Sequence, residues 1–260
     1  MEALLTQNSQ SAFSLQGKVA LITGGGSGIG YAIAQCMASA GATVVITGRT
    51  ESKLKEAVSA LGDNVNYIVN DVTDLSQSEF LVNEIVTNFG KLDILVNNAG
   101  INLKKPVLEV TNEEFSRIIH TNLSAVFSLS NAAGKQMKLQ GSGAIIMISS
   151  MAAYYGIDRV VPYASSKAGV EGMVHALAAD LSKFNIRVNA IAPGFIETSM
   201  MKTAMNSDPD RMNKALGRTP MGHFGKPENI GWAAVFLASE AANYIAGVSL
   251  RVDGGNAIGF

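Results

Sequence analysis

A tyrosine and a lysine stand four residues apart, at Tyr163 and Lys167, in the stretch Tyr-Ala-Ser-Ser-Lys. Apolar residues recur behind them at steps of three and four, which predicts a helix whose first turns carry the pair. Residues i and i+4 share one helix face with Cβ atoms about 5–6 Å apart, so the ammonium could lower the pKa of the phenol. The spacing favours a coupled acid and base, although it also occurs on ordinary half-exposed helices.

A glycine-rich turn follows the first apolar run of the chain. Lys18 to Thr23 is rich in β-forming residues and leads into Gly24-Gly-Gly-Ser-Gly28-Ile-Gly30, before a helical stretch that ends near Gly41. Unpaired N–H groups at a helix N-terminus and glycines without Cβ atoms let a pyrophosphate approach the backbone. The general G-x-G-x-x-G fingerprint is absent here, so a glycine loop without a ligand stays the alternative.

Strand and helix patterns then alternate along the chain. Glycines such as Gly62 and Gly90 follow the helical patterns as C-cap signals. This alternation predicts a doubly wound α/β domain with a parallel sheet and helices on both faces, in which ligands bind beyond the carboxyl ends of the strands. The predicted strands are 18–23, 43–47, 65–69, 92–96, 143–148, a strand beginning at 186 and 248–252, and the predicted helices of the first half are 52–61 and 76–89.

The residue after the second strand bears on cofactor choice. An acidic side chain at this point accepts the ribose hydroxyls of NAD, whereas an arginine accommodates the extra phosphate of NADP. Gly48 and Arg49 stand here, with no carboxylate before Glu51, and Thr50 or Lys53 could assist. Arg49 is therefore a candidate phosphate ligand, unless it is simply an exposed arginine that opens a helix.

An asparagine falls within the apolar face of a long predicted helix. Thr111 to Glu114 fits a capping box, and the helical pattern continues past Asn122 to Ala133. A buried asparagine must satisfy its hydrogen bonds. Asn122 either locks the helix to a neighbour or holds a water for chemistry, and the sequence favours neither.

Composition excludes several classes of protein. The 260 residues are 47% hydrophobic with a net charge of -1, which argues against disorder and against a nucleic-acid partner. The single cysteine, Cys36, lies among apolar residues and predicts a core position, while the three histidines have no metal-ligand spacing. No signal peptide or membrane span is indicated, so we expect a cytoplasmic protein with a flexible tail at 1–14 and one domain at 15–260.

Several motifs in order resemble the short-chain dehydrogenase/reductase family. Beside the loop Thr23-Gly24-x-x-x-Gly28-x-Gly30, Asn122, Ser150, Tyr163 and Lys167 match its catalytic tetrad one by one. Further matches are Asn97-Asn98-Ala99-Gly100, Ile186 to Gly194 and Val248 to Gly255. The likeness runs from about Leu15 to Gly255 and implies a Rossmann-type domain with a seven-stranded sheet, a homotetramer, and hydride transfer between an alcohol or ketone substrate and NADP(H), with NAD(H) as the lesser alternative.

The resemblance also implies roles for individual residues. Tyr163 would be the proton donor, Ser150 would orient the carbonyl oxygen, Lys167 would tune Tyr163 and bind the ribose, and Asn122 would hold a relay water. Residues 198–224, which contain five methionines, would form a substrate lid. The implied cofactor contacts are Gly24, Ser27, Gly28, Ile29, Gly30, Arg49, Asp71, Val72, Asn98, Ala99, Gly100, Tyr163, Lys167, Pro193, Gly194, Ile196 and Thr198.

The substrate is less clearly indicated. Lys104, Lys105 and Pro106 resemble a segment of gluconate 5-dehydrogenase-like members, and two cations could attract a carboxylate; surface lysines without function are equally compatible. The methionine-rich lid suits a longer apolar substrate, so a 3-oxoacyl carrier-protein reductase is the second candidate. A non-catalytic NADP-binding protein and an epimerase that retains NAD are candidates of another class.

Overall fold

Seven parallel strands form one sheet in the order β3-β2-β1-β4-β5-β6-β7. The computed structural model describes residues 9–198, 201 and 209–259. The order reverses between β1 and β4, which defines a doubly wound sheet with a switch point there, and the predicted fold class is confirmed. The strands are β1 (Val19–Thr23), β2 (Thr43–Gly48), β3 (Val65–Val69), β4 (Ile94–Asn97), β5 (Gly143–Ile148), β6 (Ile186–Pro193) and β7 (Ser249–Val252).

Helices cover both faces of this sheet. A short N-terminal helix is α1 (Ser9–Ala12), and the main helices are α2 (Gly28–Ser39), α3 (Glu51–Leu61), α4 (Gln77–Phe89), α5 (Asn112–Ile119), α6 (Ala125–Gln140), α7 (Val161–Leu181), α8 (Pro209–Gly217) and α9 (Pro227–Ala238). Glycines end two of them as predicted, because Gly62 and Gly90 are C-caps with φ of 92° and 82°. The Thr111–Glu114 capping box opens α5.

Alternate side chains along each strand point to opposite faces of the sheet and pack into two separate hydrophobic cores. On one face, β1 and β2 residues such as Ile22 and Ile46 pack with α2, α3 and α9. On the other, residues such as Leu21 and Ile145 pack with α4, α6 and α7. Cys36 is buried in the first core as predicted, and burial raises the pKa of its thiol to about 11, with a smaller contribution from Glu228.

The long helix around Asn122 is interrupted. The sequence predicts one continuous helix here, but a π-helical turn, His120–Ser124, separates α5 from α6. In a π turn the backbone bonds run to i+5 and the helix bulges outward, a geometry frequent at functional sites. The His120 side chain joins this turn to the loop between β3 and α4, because its Nε2 lies 2.9 Å from the Thr73 carbonyl oxygen. Helical periodicity cannot reveal this local change of register.

The predicted domain limits stay predictions. Within the predicted tail, residues 9–12 form α1, and the Phe13 ring lies 6.2 Å from the Phe236 ring. The predicted lid at 198–224 falls partly outside the described residues, which there comprise 198, 201 and 209–224. None of the helices in the described part of the chain combines the length and the apolar content needed to cross a membrane.

Candidate functional site

The glycine loop lies at the switch point, directly beyond β1. Gly24 and Gly28 have φ of 67° and 58°, a region that glycine enters without steric cost. Ser27 is the N-cap of α2 with an extended backbone, so the first N–H groups of α2, at Gly28, Ile29 and Gly30, face the loop. The turn thus presents a positive helix end at the carboxyl edge of the sheet.

Side chains from β1 and from the loop after β4 hold this turn in place. The Thr23 hydroxyl accepts hydrogen bonds from the backbone N–H groups of Asn98 and Ala99, both at 3.0 Å. The Asn98 amide donates to the carbonyl oxygens of Thr23 and Gly24, at 2.9 and 3.3 Å. Asn98 therefore fixes the glycine loop through its side chain and leaves the loop surface open.

Gly30 and Gly28 differ in the space that surrounds them. A Cβ at Gly30 would overlap the Gly24 carbonyl oxygen and lie 2.5 Å from the Asn98 amide nitrogen, so Gly30 is required by packing. A Cβ at Gly28 would meet only the Thr198 side chain, with 3.6 Å to its methyl carbon. Thr198 thus faces Gly28 across the loop, although the two residues come from opposite ends of the chain.

Arg49 and Asp71 mark the far end of the crevice, after β2 and β3. The Asp71 carboxylate accepts hydrogen bonds from the backbone and the hydroxyl of Thr73, and these bonds hold its pKa below the ordinary value. The Arg49 guanidinium adds a smaller electrostatic contribution to this pKa, so Arg49 lies near Asp71. Arg49 is exposed, Val72 is partly buried, and both stand on the same sheet edge.

Tyr163 lies in the first turns of α7 and meets Ser150, which follows β5. The Ser150 hydroxyl accepts a hydrogen bond from Ala152 N at 3.1 Å, which fixes the serine at the start of a short turn. Burial raises the pKa of Tyr163, and a hydrogen bond with the Ser150 side chain opposes that rise. The expectation that Lys167 lowers this pKa is therefore wrong for the protein alone, because desolvation is the dominant effect.

Lys167 is buried, and its ammonium is bound to the backbone at the end of β5. Its Nζ donates to the Ile148 carbonyl oxygen at 2.6 Å and lies 5.7 Å from the centre of the Tyr163 ring. Burial lowers the pKa of Lys167 to about 8, and the Glu171 carboxylate partly opposes this shift. A lysine with this pKa exchanges protons near neutral pH, which an exposed lysine does not.

Asn122 joins the π turn to the loop after β4. Its side-chain oxygen accepts from Ile101 N at 2.9 Å, and its amide donates to Ile101 O at 2.8 Å and to the Ser166 hydroxyl at 3.2 Å. A Cβ at Gly100 would lie 3.2 Å from the Asn122 oxygen and 3.9 Å from Lys167 Nζ. The sequence left open whether Asn122 locks the helix to a neighbour or holds a water molecule. These hydrogen bonds to Ile101 and Ser166 are the locking contact.

The end of β6 lies at the same sheet edge and packs against the segment after β7. Pro193 is buried, and Gly194 packs so closely against Asp253 that a Cβ would lie 2.7 Å from its Cα. The Ile196 side chain is buried in the core, so a cofactor contact at this residue would come from its backbone. Lys105, the second of the two lysines, forms an ion pair with Glu114 at 2.9 Å.

Two residues of the site were missed in the sequence. Thr23 anchors the Asn98 loop, and Ser166 receives the Asn122 amide while donating to the Tyr163 carbonyl oxygen at 2.7 Å. Ser166 could have been found, because it stands one residue before Lys167 on a helix where polar residues have reason to face the site. Among the described residues, no group of three or more His, Cys, Asp or Glu side chains is arranged to hold a metal ion.

Comparison with known proteins agrees with this geometry along nearly the whole chain. A family model described as enoyl-(acyl carrier protein) reductase matches residues 24–257. The 2-dehydro-3-deoxy-D-gluconate 5-dehydrogenase of Dickeya dadantii (strain 3937) is 40% identical over 247 residues, which are 94% of this chain and 97% of that protein. The 3-oxoacyl-(acyl-carrier-protein) reductase FabG of Thermotoga maritima is 40% identical over 246 residues, 93% of this chain and 98% of its own length.

A solved structure shows the same similarity in three dimensions. The gluconate 5-dehydrogenase from Burkholderia cenocepacia J2315, crystallised with NADP and tartrate, superposes with a TM-score of 0.91 at 34% identity, and the match covers 96% of this chain and 98% of that one. Its fold and that of the chain described above are the same doubly wound sheet. Sequence and structure together therefore show that this chain belongs to the short-chain dehydrogenase/reductase family.

Proposed function

We propose that the protein is an NADP(H)-dependent oxidoreductase that interconverts a secondary alcohol and a ketone, on a sugar acid or another small hydroxy or keto compound. The observation that carries the proposal is that buried Lys167 has its Nζ 5.7 Å from the centre of the Tyr163 ring, while the Ser150 side chain is within hydrogen-bonding reach of Tyr163. These groups come from β5 and α7 and stand on the sheet edge that also carries the glycine loop.

The residues present fit a dinucleotide phosphate. The loop is open at Gly28, where a Cβ would meet only the Thr198 side chain, and it leads into the first turn of α2, so it could hold the pyrophosphate. Asp71 and Val72 would frame the adenine, and Lys167 and Tyr163 would hold the nicotinamide ribose. Ala99, Gly100, Pro193, Gly194, Ile196 and Thr198 would line the remaining path. When bound, the nicotinamide supplies the hydride chemistry that no side chain offers.

Arg49 supports NADP over NAD. Its guanidinium is exposed on the edge where the adenosine ribose would lie, and its planar donors suit a phosphate. The Burkholderia cenocepacia relative was crystallised with NADP.

The tetrad residues have separate tasks in this proposal. Because burial keeps the Tyr163 phenol protonated at neutral pH, it is ready to donate a proton to a substrate carbonyl oxygen. The Ser150 hydroxyl would donate a hydrogen bond to the same oxygen and orient it. Lys167, with its pKa of about 8, would return a proton to Tyr163. Asn122 would keep the π turn beside Lys167 and allow a relay water to bind.

Reduction of a 3-oxoacyl group on a carrier protein is the second candidate. It is favoured by the FabG relative, whose identity to this chain equals that of the gluconate-type relative. A panel of keto sugar acids, simple ketones and a 3-oxoacyl thioester, scored by NADPH oxidation, separates the two candidates. Absence of turnover across the whole panel, with NADPH bound, would instead support a non-catalytic protein.

We also propose a homotetramer in the cytoplasm. A groove between α4 and α6 is lined by apolar residues such as Leu75 and Phe127 together with serines, Glu79 and Asn131, and the exposed rings of Phe80 and Phe127 are 67% and 50% accessible. Strand β7 ends the sheet, and both surfaces would be covered by symmetric copies. A monomeric mass by light scattering at micromolar concentration would contradict the assembly. Fractionation of cells that express the full chain tests the location.

A further inference from the structure

A half-buried arginine, Arg218, lies where three loops meet. It follows α8 and contacts Tyr155, five residues after Ser150, and Asn256, which follows β7. These loops leave the carboxyl ends of β5 and β7, while Gly194 at the end of β6 packs against Asp253 in the same region. The glycine loop, Arg49 and Asp71 occupy the ends of β1, β2 and β3. Arg218 therefore lies beyond the carboxyl ends of β5 and β7, in the half of this sheet edge that does not carry the glycine loop.

Side-chain contacts hold the arginine in one orientation. Its guanidinium carbon lies 4.0 Å from the centre of the Tyr155 ring, and its Nε donates to the Asn256 carbonyl oxygen at 3.1 Å. The Tyr155 hydroxyl donates to the Asn256 side-chain oxygen. The Asn256 amide donates to the Thr219 hydroxyl at 3.0 Å. Asn256 is completely buried, so it acts as the fixed point of this network.

The charge of Arg218 has no counter-ion in the described part of the chain. Lysines such as Lys105 and Lys135 form ion pairs with glutamates, but no Asp or Glu among the described residues does so with Arg218. The Asp253 carboxylate, which acts electrostatically on Tyr155, accepts from the backbone N–H groups of Gly255 and Ala257, at 3.0 and 2.7 Å. A partly buried cation that is held rigid, and that no described carboxylate pairs, is suited to an anionic ligand, because little ordering remains to be lost on binding.

We propose that Arg218 binds the carboxylate of an acidic hydroxy or keto substrate, with Tyr155 and Asn256 as positioning residues. This inference rests on the proposed function and narrows its substrate class to small carboxylates. The terminal nitrogens of the guanidinium form the planar donor pair that matches a carboxylate. The sequence directs attention to Lys104 and Lys105 instead, but the ammonium of Lys105 is already bound to Glu114.

The test compares D-gluconate with D-gluconamide, which differ in the charged group and keep the same hydroxyl groups. Oxidation of both is followed with NADP⁺ in the wild-type protein and in Arg218→Gln. We expect the wild type to favour gluconate by about tenfold to a hundredfold in kcat/KM, mainly through KM, as for one charge-assisted contact. Arg218→Gln should lose this preference, with a much larger fall in kcat/KM on gluconate than on gluconamide.

Matched variants separate charge recognition from simple positioning. Arg218→Lys should keep part of the preference. Asn256→Asp retains an acceptor for Tyr155 but adds a carboxylate beside Arg218, and it should weaken gluconate selectively. Arg251→Gln is the control, because Arg251 lies over the neighbouring Tyr154 ring at 5.7 Å, and it should leave the preference unchanged.

Each outcome decides between the proposals. Equal loss of both probes in Arg218→Gln means that the arginine only braces the loops, and the inference is then wrong. Equal use of both probes by the wild type, or reduction of neutral ketones alone, overturns it as well and leaves the oxidoreductase proposal intact. Failure to turn over any alcohol or ketone, with NADPH bound, overturns the proposed function and the inference with it.

Discussion

The two halves of the sheet edge are stabilised in different ways. At the ends of β1 and β4, the glycine loop is held by hydrogen bonds between Thr23, which directly precedes it, and Asn98. At the ends of β5 and β7, Tyr155, Arg218 and Asn256 come from three distant segments and meet through side chains. The first half is a backbone cradle of fixed shape, and the second is an assembly of side chains that can differ among chains of the same fold.

This difference predicts which half of the sheet edge is shared by chains of this fold and which half varies with the substrate. A cradle whose glycines are demanded by backbone geometry, such as Gly30, accepts few substitutions. A side-chain network can be exchanged without moving a strand, so it can select substrates. We therefore expect substitutions in the first half to affect cofactor binding and stability, and substitutions in the second to affect substrate choice.

The largest expected effect is the loss of turnover when the proposed proton donor, Tyr163, is removed. Tyr163→Phe keeps the ring and removes only the hydroxyl that meets Ser150. Loss of a general acid costs about 10²–10⁴-fold in rate, so turnover should fall below a few per cent while the Kd for NADPH changes little. Steady-state kinetics and fluorescence titration with NADPH measure the two quantities. Tyr244→Phe, at a fully exposed ring, is the control, and substantial turnover by Tyr163→Phe would remove Tyr163 from the role of acid.

The second-largest expected effect is a reversal of cofactor preference, caused by substitutions in the first half of the sheet edge alone. A Cβ at Gly48 would meet only the Leu54 side chain, at 3.5 Å and beyond, so a carboxylate can be introduced there. An arginine–phosphate contact contributes about 1.5–3 kcal/mol, or roughly tenfold to more than a hundredfold. The wild type should therefore prefer NADPH at least tenfold in kcat/KM, and Gly48→Asp with Arg49→Ala should reverse the order. Lys55→Ala is the control, and equal use of both cofactors by the wild type would show that Arg49 binds no phosphate.

The sequence predicted the first half well and the second poorly, for a physical reason. The apolar pattern of a strand and the glycines at turns are local features of the sequence. They were therefore sufficient to predict the turn after β1 and the helix that carries Tyr163. The π turn at Asn122 changes hydrogen bonding without changing the apolar pattern. The network at Asn256 joins residues a hundred positions apart in the chain, and no spacing rule indicates it. The direction of the Tyr163 pKa shift was wrong, because desolvation depends on burial that a sequence does not give.

A smaller effect distinguishes two kinds of glycine. Gly30→Ala forces a Cβ against the Gly24 carbonyl oxygen, and such overpacking should lower the free energy of unfolding by about 1–3 kcal/mol. Gly172→Ala in α7 meets no atom within 4 Å of the new Cβ, and it should raise that free energy by about 0.5–1 kcal/mol through helix propensity. Urea unfolding of both variants measures the difference. Similar values for the two would show that the loop can shift to accept a side chain.

The smallest effect concerns the pH dependence of stability and isolates the buried Lys167. Its pKa falls from 10.5 to about 8 on folding because burial disfavours the ammonium. Below about pH 8 the amine is protonated in both states, and its burial weakens the fold; as the pH rises toward 10.5, the unfolded chain binds more protons, so the free energy of unfolding increases. Lys167→Met should abolish this contribution and flatten the profile between about pH 8 and pH 10.5. Tyr163 titrates in both proteins, so the difference between their urea midpoints reports the lysine alone. Lys135→Met, at a lysine whose side chain is 63% exposed, should keep the wild-type slope, and equal slopes in all three proteins would mean that Lys167 is solvated and keeps its ordinary pKa.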